Sequence, residues 1–397
     1  MEQNNKGNLA SRIISYILVA IIASGITAFF ISPSNTEQPQ PIQEQKLKEL
    51  EALICDYFIG EGELTAMYDG AAAGMISGLG DRWSYYIPAS EYQSYQEQMQ
   101  NAYVGIGVTI STKEEDLFTV LQVEPGGGAQ EAGILPADVI VAVEGQRISE
   151  IGYDAASELI RGEVGTQLSV TVDRNGSELT MNVTRKLIKV QVAKGVMLED
   201  DIGLITIKNF DDRCAEETIA AIEALREQGA KALLFDVRFN PGGYKHELVK
   251  LLDYLLPEGK LFQSQNYTGH ETVESSDAKC LEMPMAVLVN GDSYSAAEFF
   301  AAALREYNWG FVVGEPTVGK GYFQSTFELC DGSAVSLSIG KYFTPNGVSL
   351  AEVGGLVPDV QVEVDEETAA KIYSQVLEPA NDPQIQAAVA ALKEKMP

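Results

Sequence analysis

Apolar and polar positions along the second half of the chain predict strands and helices in alternation. Short, nearly uninterrupted apolar runs predict strands at 202–207, 232–237, 285–289 and 311–313, with further strands at 322–329, 337–343 and 360–364. Longer segments with apolar residues at helical spacing predict helices at 215–227, 247–256, 296–305, 366–377 and 384–393. Because strands and helices alternate, we predict a mixed α/β core, which occupies 188–397.

The pattern differs between 101 and 187, where short β-type runs predominate. Asn175-Gly176 separates the runs 167–174 and 178–185, which is typical of a hairpin with a two-residue turn. One helix is predicted within this region, at 153–161. These features predict a β domain inserted ahead of the core.

The N-terminal pattern predicts a membrane segment. Residues 13–31 form a run of 19 residues without a charge, which is long enough to span a bilayer. Lys6 and Arg12 precede this run, whereas the polar linker 32–45 contains no basic residue. The positive-inside rule therefore predicts that 1–12 is cytoplasmic and that the rest of the chain is extracytoplasmic. A signal peptide cleaved near Ala23-Ser-Gly25 is the alternative.

Helical spacing returns after the linker, so 46–100 is predicted as an N-terminal helical segment, with helices at 47–58, 64–79 and 91–99. The chain has 397 residues and a formal net charge of −29, which argues against nucleic-acid binding. Its four cysteines form no C-x-x-C metal pattern, and either two disulfides or four buried thiols are expected.

Candidate chemistry is concentrated in 285–324. Ser295 lies between a predicted strand and a predicted helix, where unpaired backbone N–H groups and the helix dipole would stabilise an oxyanion. Ser295-x-x-Glu298 also fits a capping box, and the two roles are compatible. If 322–329 is a strand, Lys320, Tyr322 and Gln324 point to one face.

Segment 314–320 fits the first seven positions of a phosphate-binding loop. The next residue, Gly321, is not the Ser or Thr that holds magnesium, and a strand rather than a helix is predicted after it. Nucleotide binding is therefore disfavoured.

Several motifs occur in an order that resembles the carboxyl-terminal processing (tail-specific) serine proteases. They are Asp236-Val-Arg-Phe-Asn-Pro-Gly-Gly243, Ser295, Lys320-x-x-x-Gln324, Tyr342-Phe-Thr-Pro-Asn-Gly347 and Gly355-Leu-Val-Pro-Asp359. The resemblance implies that Ser295 is the nucleophile, Lys320 the general base and Gln324 the residue that orients the lysine. It also implies an oxyanion site formed by Ala296 with either Gly242 or Gly243.

This sequence departs from the family pattern at a few positions. The family usually has Ser-Ala-Ser-Ala-Ser-Glu around the nucleophile, whereas Tyr294 and Ala297 stand here. Segment 81–88 resembles the family's Asp-Pro-Tyr-Ser segment but has Arg82-Trp83 in the middle. None of these departures removes a catalytic group.

The β domain resembles a PDZ domain. Gly105, Ile106 and Gly107 would let backbone N–H groups converge on a terminal carboxylate, although G-x-G is also a simple tight turn. The neighbouring strand edge would pair with an extended peptide.

A Ser-His-Asp triad is the main rival chemistry. The chain has two histidines, of which His246 follows the Asn-Pro-Gly-Gly turn and His270 lies in 266–277, which is predicted as an exposed loop. His246 is kept as an alternative base.

Together these observations predict a membrane-tethered serine endopeptidase of the bacterial envelope, without a metal or nucleotide cofactor. Its expected partners are unfolded or C-terminally tagged protein substrates and the membrane, and self-association is compatible with the sequence. A catalytically silent PDZ scaffold is the alternative function, which the three polar residues Ser295, Lys320 and Gln324 argue against. Acyl-CoA chemistry on a related core is disfavoured by the PDZ-like unit and the export signal.

Overall fold

A computed structural model describes residues 42–99, 101–111 and 118–396. The predicted membrane segment 13–31 lies outside the described residues. Within the described ranges, we find no helix that combines the length and apolar character needed to cross a membrane. Contacts divide the chain into one unit that ends at Gly70 and a second unit, Ala71–Pro397.

The helices of the described ranges are α1 Ile42–Tyr57, α2 Leu64–Ser77, α3 Ala89–Met99, α4 Gly128–Ala132, α5 Ile148–Ile160, α6 Cys214–Glu227, α7 Lys245–Leu255, α8 Ala296–Glu306, α9 Leu350–Val353, α10 Glu366–Tyr373 and α11 Pro383–Lys393. The strands are β1 Tyr85–Ile87, β2 Ala102–Gly105, β3 Val108–Ser111, β4 Phe118–Val123, β5 Val139–Val143, β6 Gln146–Arg147, β7 Gln167–Arg174, β8 Ser177–Thr184, β9 Lys186–Lys189, β10 Ala193–Met197, β11 Ile202–Ile207, β12 Ala232–Asp236, β13 Gly259–Asn266, β14 Glu271–Ser276, β15 Met285–Val289, β16 Gly310–Gly314, β17 Tyr322–Glu328, β18 Ala334–Phe343 and β19 Val360–Gln361.

A six-stranded sheet of order β10-β11-β12-β15-β16-β19 forms the centre of the core. Strands β11 to β19 of this sheet are parallel, and β10 is antiparallel to β11. One face packs against apolar residues of α6, α7 and α8, and the other packs against α11. Strands covered on both faces must be apolar throughout, which explains why their sequences predicted them so clearly.

A second, antiparallel sheet has the order β1-β18-β13-β14, with β17 also paired to β18. The prediction of an exposed loop at 266–277 was wrong, because Glu271–Ser276 forms β14 and pairs with β13. Its residues alternate between more and less exposed positions, and their mostly polar character hid the strand.

The inserted β domain contains the sheet β3-β4-β5-β7-β8, with β6 paired to β5. A separate apolar cluster that includes Phe118, Ile140 and Val170 forms its core. The predicted hairpin joins β7 to β8, and Asn175 and Gly176 have the positive φ angles (56° and 79°) of a type I′ turn. Strands β2 and β9 pair at the two ends of the domain.

A small polar network connects both ends of this domain to the loop after β11. The side-chain amides of Asn101 and Asn209 exchange hydrogen bonds of 2.8 and 2.6 Å. Val190 N donates to Asn101 O at 2.8 Å, and Arg213 donates to Val190 O at 3.0 Å. The loop at 209–213 therefore holds the start and the end of the inserted domain together.

All four cysteines, Cys55, Cys214, Cys280 and Cys330, are free thiols. The expectation that four thiols would all be buried was wrong, because Cys214 is buried, Cys280 is half-buried, and Cys55 and Cys330 are exposed.

Candidate active site

Ser295 occupies the N-cap position of α8, after the turn that follows β15. Its backbone has φ 57° and ψ −126°, which is an unfavourable conformation for a residue with a side chain. The neighbouring Ser293 fixes the turn, because its Oγ donates to Val237 O at 2.7 Å and accepts from Asn290 N at 3.0 Å. Such strain at the start of a helix is a common feature of functional residues.

Glu298 organises the backbone around Ser295 and Lys320. Its buried carboxylate accepts hydrogen bonds from Ser295 N at 2.9 Å, Gly319 N at 2.7 Å, Lys320 N at 2.9 Å and the Thr317 hydroxyl. Burial raises the pKa of Glu298, and the four donors oppose that rise. The capping box suggested by Ser295-x-x-Glu298 is present. Its carboxylate also fixes the loop before β17, which the sequence did not indicate.

Lys320 has the electrostatic properties of a base. Burial lowers its pKa to about 8, because desolvation disfavours the ammonium form. The charges of Glu298 and Asp81 oppose this shift, and the charge of Arg82 adds to it. The lysine Nζ lies 4.7 Å from the ring centroid of Trp83 and 5.6 Å from that of Tyr294.

Gln324 lies near Lys320 along the same cavity wall, but its amide is directed elsewhere. Its Nε2 donates to Ser338 Oγ at 3.0 Å and to Tyr322 O at 3.4 Å. A β-bulge between Phe323 and Gln324 interrupts the alternation of side chains. The prediction that Lys320, Tyr322 and Gln324 share a face is therefore wrong for Tyr322, since Phe323 lines the cavity instead.

Gly242 lies directly against Ser295, and Gly243 lies against the loop after β11. A Cβ atom on Gly242 would lie 2.7 Å from Ser295 Cβ, and one on Gly243 would lie 2.4 Å from Phe210 C. Both glycines have positive φ angles, 90° and 147°. Phe210 N donates to Gly242 O at 2.7 Å, so the loop after β11 supports this turn.

The two glycines differ in what their N–H groups do. Gly242 N donates to Asn240 Oδ1 at 2.8 Å. Among the hydrogen bonds between described residues, we find none donated by Gly243 N or by Ala296 N. Gly243 and Ala296 therefore keep the donors that an oxyanion needs.

A cavity of about 990 Å³ brings together the predicted residues of the site. Ser295, Lys320, Gln324, Gly242 and Gly243 line it. The rest of the wall is rich in tyrosine, from Tyr85, Tyr92, Tyr95, Tyr244, Tyr267, Tyr294 and Tyr342. Such a wall offers flat apolar surfaces together with hydroxyl groups. It therefore suits an extended polypeptide better than a small charged ligand.

Both histidines of the sequence also line this cavity, at exposed positions. The His246 ring stacks on Tyr244, with 5.2 Å between their centroids. His270 precedes β14 rather than lying in a long loop.

Sequence reasoning missed Asp211, which is 5 % exposed and lines the same cavity. Burial, followed by repulsion from Asp212, raises its pKa to about 7. Asn101 Nδ2 donates to its carboxylate at 3.2 Å. No motif pointed to this residue, because its environment comes from segments far apart in sequence.

The predicted peptide-binding residues of the inserted domain lie between β2 and β3. Ile106 O accepts from Ala129 N at 2.8 Å and Gly107 O accepts from Glu124 N at 2.9 Å. Gly105 pairs with Lys186 in the β2–β9 sheet. The role of these residues in peptide binding stays a prediction.

Sequence comparisons place this site in a family. Residues 201–362 match the model for Peptidase family S41, and residues 119–174 match that for the PDZ domain. The carboxy-terminal processing protease CtpA of Bacillus subtilis (strain 168) is 30% identical over 357 residues, which cover 88% of this chain and 76% of that protein. The chain belongs to the carboxy-terminal processing proteases of peptidase family S41. It is a serine protease with a PDZ domain.

A second relative agrees with this assignment. A probable CtpA-like serine protease of Staphylococcus haemolyticus (strain JCSC1435) is 30% identical to this protease over 356 residues, which cover 87% of this chain and 71% of that protein. Among solved structures, the photosystem II D1 C-terminal processing protease matches with a TM-score of 0.47 and 26% identity, over 80% of this chain and 86% of that chain.

Proposed function

We propose that this protease cleaves polypeptides with a Ser-Lys dyad, in which Ser295 is the nucleophile and Lys320 is the general base. The observation that carries the proposal is that the half-buried Lys320 and the strained Ser295 line the same cavity. Desolvation lowers the pKa of Lys320 to about 8, which supports it. An amine with this pKa is partly neutral near neutral pH and is able to accept a proton.

In the first step, Ser295 Oγ attacks the carbonyl carbon of the substrate while its proton passes to Lys320 Nζ. The N–H groups of Gly243 and Ala296 stabilise the oxyanion of the tetrahedral intermediate. The lysine ammonium then donates its proton to the leaving amine, and the peptide bond breaks. In the second step Lys320 takes a proton from a water molecule, which attacks the carbonyl carbon of the acyl-enzyme. The ester bond to Ser295 Oγ then breaks, the lysine ammonium returns its proton to Ser295 Oγ, and the carboxylic acid product leaves.

Glu298 supports this arrangement without acting as a partner of the lysine amine. Its carboxylate is occupied by three backbone N–H groups and one hydroxyl. It therefore fixes the backbone of Ser295 and Lys320 relative to each other. In this proposal, Gln324 contributes to the wall next to the base.

We also propose that the PDZ domain binds the C-terminal tail of a protein substrate through 105–107. The support is the match of 119–174 to the PDZ domain in a protease of this family. The loop that carries Phe210 contacts both the PDZ domain and Gly242, so it would couple tail binding to the site. Residues 13–31 would tether the catalytic part on the outer side of a bacterial cell membrane, on the basis of charge distribution alone. Association of the protease with further copies of itself is also a proposal.

Cleavage of an unfolded protein such as casein by the full-length chain tests the dyad. We expect Ser295→Ala and Lys320→Ala each to reduce kcat by about 10³-fold or more, because each removes one of two groups that act together. His246→Gln, a change in the same cavity, should retain most of the activity.

Cleavage that survives Lys320→Ala but is lost in His246→Gln would establish a histidine base and contradict the dyad. If no form cleaves, and the chain only binds peptides with apolar C-termini, the protein is a PDZ scaffold instead.

A further inference from the structure

The amine of Lys320 lies against two aromatic rings that come from distant parts of the chain. Its Nζ is 4.7 Å from the ring centroid of Trp83 and 5.6 Å from that of Tyr294. The two rings are themselves 5.8 Å apart, with an angle of 32° between their planes. Both rings stand at positions where the sequence departs from the family pattern described above.

Trp83 is held in place by a polar network that also contacts the strand beside Gln324. Asp81 Oδ1 accepts from Trp83 N at 3.1 Å, and Asp81 Oδ2 accepts from Ser84 Oγ at 2.6 Å. Ser84 Oγ in turn accepts from Ser338 N at 2.9 Å. Segment 81–84 is therefore fixed to β18, which gives the backbone that carries the indole a defined position.

The same network occupies Gln324, the residue expected to orient the base. Gln324 Nε2 donates to Ser338 Oγ, and between the described residues we find no hydrogen bond from Gln324 to Lys320 Nζ. The contacts that locate the end of the lysine side chain are therefore the two ring faces.

Aromatic rings act on an amine in two ways. They exclude water, which disfavours the ammonium form, and their negative faces attract a cation, which favours it. Arg82 lies 4.2 Å from the centroid of the same Trp83 ring, so a second cation competes for that ring. Exclusion of water is therefore the stronger of the two effects here, in agreement with desolvation as the main cause of the low Lys320 pKa.

We propose that Trp83, together with Tyr294, is a positioning residue that holds the Lys320 amine in a dry location next to Ser295. This inference rests on the proposed Ser-Lys dyad. Tyr294 lines the catalytic cavity, whereas Trp83 is absent from its lining among the described residues. Trp83 therefore acts through Lys320, and its removal should change the base more than substrate binding.

The first test measures the protonation of Lys320 directly, in the full-length chain. Competitive acetylation with acetic anhydride across a pH series, followed by peptide mapping, gives the pH midpoint of Lys320 labelling. We expect a midpoint near 8 for the parent. Trp83→Ala should raise the midpoint by about one pH unit as water reaches the amine, and Trp83→Phe should leave it near the parent value.

The second test measures activity. A rise of one unit in the Lys320 pKa lowers the neutral fraction at pH 7 about tenfold, so kcat of Trp83→Ala should fall about tenfold at pH 7 and recover at higher pH. KM should stay within about twofold. Tyr267→Ala, at another ring of the cavity wall, should not shift the pH dependence.

An unchanged Lys320 midpoint in Trp83→Ala, or an equal change in Trp83→Phe and Trp83→Ala, would overturn the inference. If Trp83→Ala does not fold, Tyr294→Ala is measured in its place, because the family usually has Ala at position 294. Tyr294→Ala should also raise the pH midpoint of Lys320 labelling. The labelling result does not require cleavage. A parent that labels near 8 but does not lose activity in Lys320→Ala would contradict the dyad and leave the aromatic contact standing.

Discussion

At the scale of single residues, buried Glu298 determines the geometry of the site. Each of its oxygens accepts two hydrogen bonds, Oε1 from Thr317 and Gly319 and Oε2 from Ser295 and Lys320. One acidic side chain thus fixes the backbone of both proposed catalytic residues. A neutral side chain of the same shape cannot replace it, because a glutamine has only one acceptor oxygen.

Glu298→Gln should therefore destabilise the protein and reduce its activity. In either orientation the glutamine amide nitrogen would face at least one backbone N–H donor. We therefore expect the free energy of unfolding to fall by about 2–4 kcal/mol. We also expect kcat to fall more than tenfold, because the backbone of Ser295 and Lys320 would shift. Urea unfolding and casein cleavage measure the two effects. Glu328→Gln, at an exposed position on β17, is the matched control; equal behaviour of the two variants would refute this role of Glu298.

At the scale of elements, the loop between β11 and α6 joins two parts of the protease. On one side it holds the ends of the PDZ domain through Asn101 and Val190. On the other side, Phe210 N donates to Gly242 O and Phe210 O accepts from Tyr244 N, each at 2.7 Å. A displacement of the PDZ domain therefore has a short physical route to the glycines beside Ser295.

Asn209→Ala tests how firmly this loop is attached. The change removes both amide hydrogen bonds with Asn101, so the free energy of unfolding should fall by about 1–2 kcal/mol. Asn182→Ala, at an exposed position on β8, should change it by less than about 0.5 kcal/mol. The free energy of unfolding of both variants is measured with denaturant. If it falls no more in Asn209→Ala than in Asn182→Ala, the amide pair of Asn101 and Asn209 is not a structural link.

At the scale of the whole molecule, acidic charge determines how stability depends on pH. The formal net charge is −29, and Asp211 is buried with a pKa raised to about 7. In the unfolded chain the same carboxyl ionises near its ordinary pKa of about 4. Folding therefore takes up a proton at pH 5 and 6. The stability from this group is complete at pH below the unfolded pKa and is lost as the pH rises through 7.

Asp211→Asn should remove this contribution to the pH dependence. For the parent, we expect Asp211 to lower the free energy of unfolding by on the order of 2 kcal/mol between pH 5 and pH 7. The variant should show a correspondingly smaller decrease over the same range. Urea unfolding at pH 5, 6 and 7 provides the measurement. Identical slopes for the parent and the variant would show that Asp211 is ionised in the folded protein.

The sequence by itself determined the elements that depend on local pattern. The predicted strands 202–207 and 285–289 match β11 and β15, because strands buried on both faces are continuous apolar runs. Asn175-Gly176 identified its hairpin, because a type I′ turn requires positive φ angles at both residues. The start of α8 at Ala296 followed from the break after β15, and the motifs identified the protease family.

Tertiary structure decided the features that join distant segments. Strand β14 is mostly polar, so its local sequence predicted a loop. It forms a strand because it pairs with β13. Gly242 N donates to Asn240 Oδ1, whereas we find no hydrogen bond donated by Gly243 N in the part of the chain that the structure describes. Trp83 reaches Lys320, and Glu298 reaches 317–320, only after the chain has packed. Burial and long-range contacts produce the low pKa of Lys320 and the high pKa of Asp211, and neither is encoded in any single stretch of sequence.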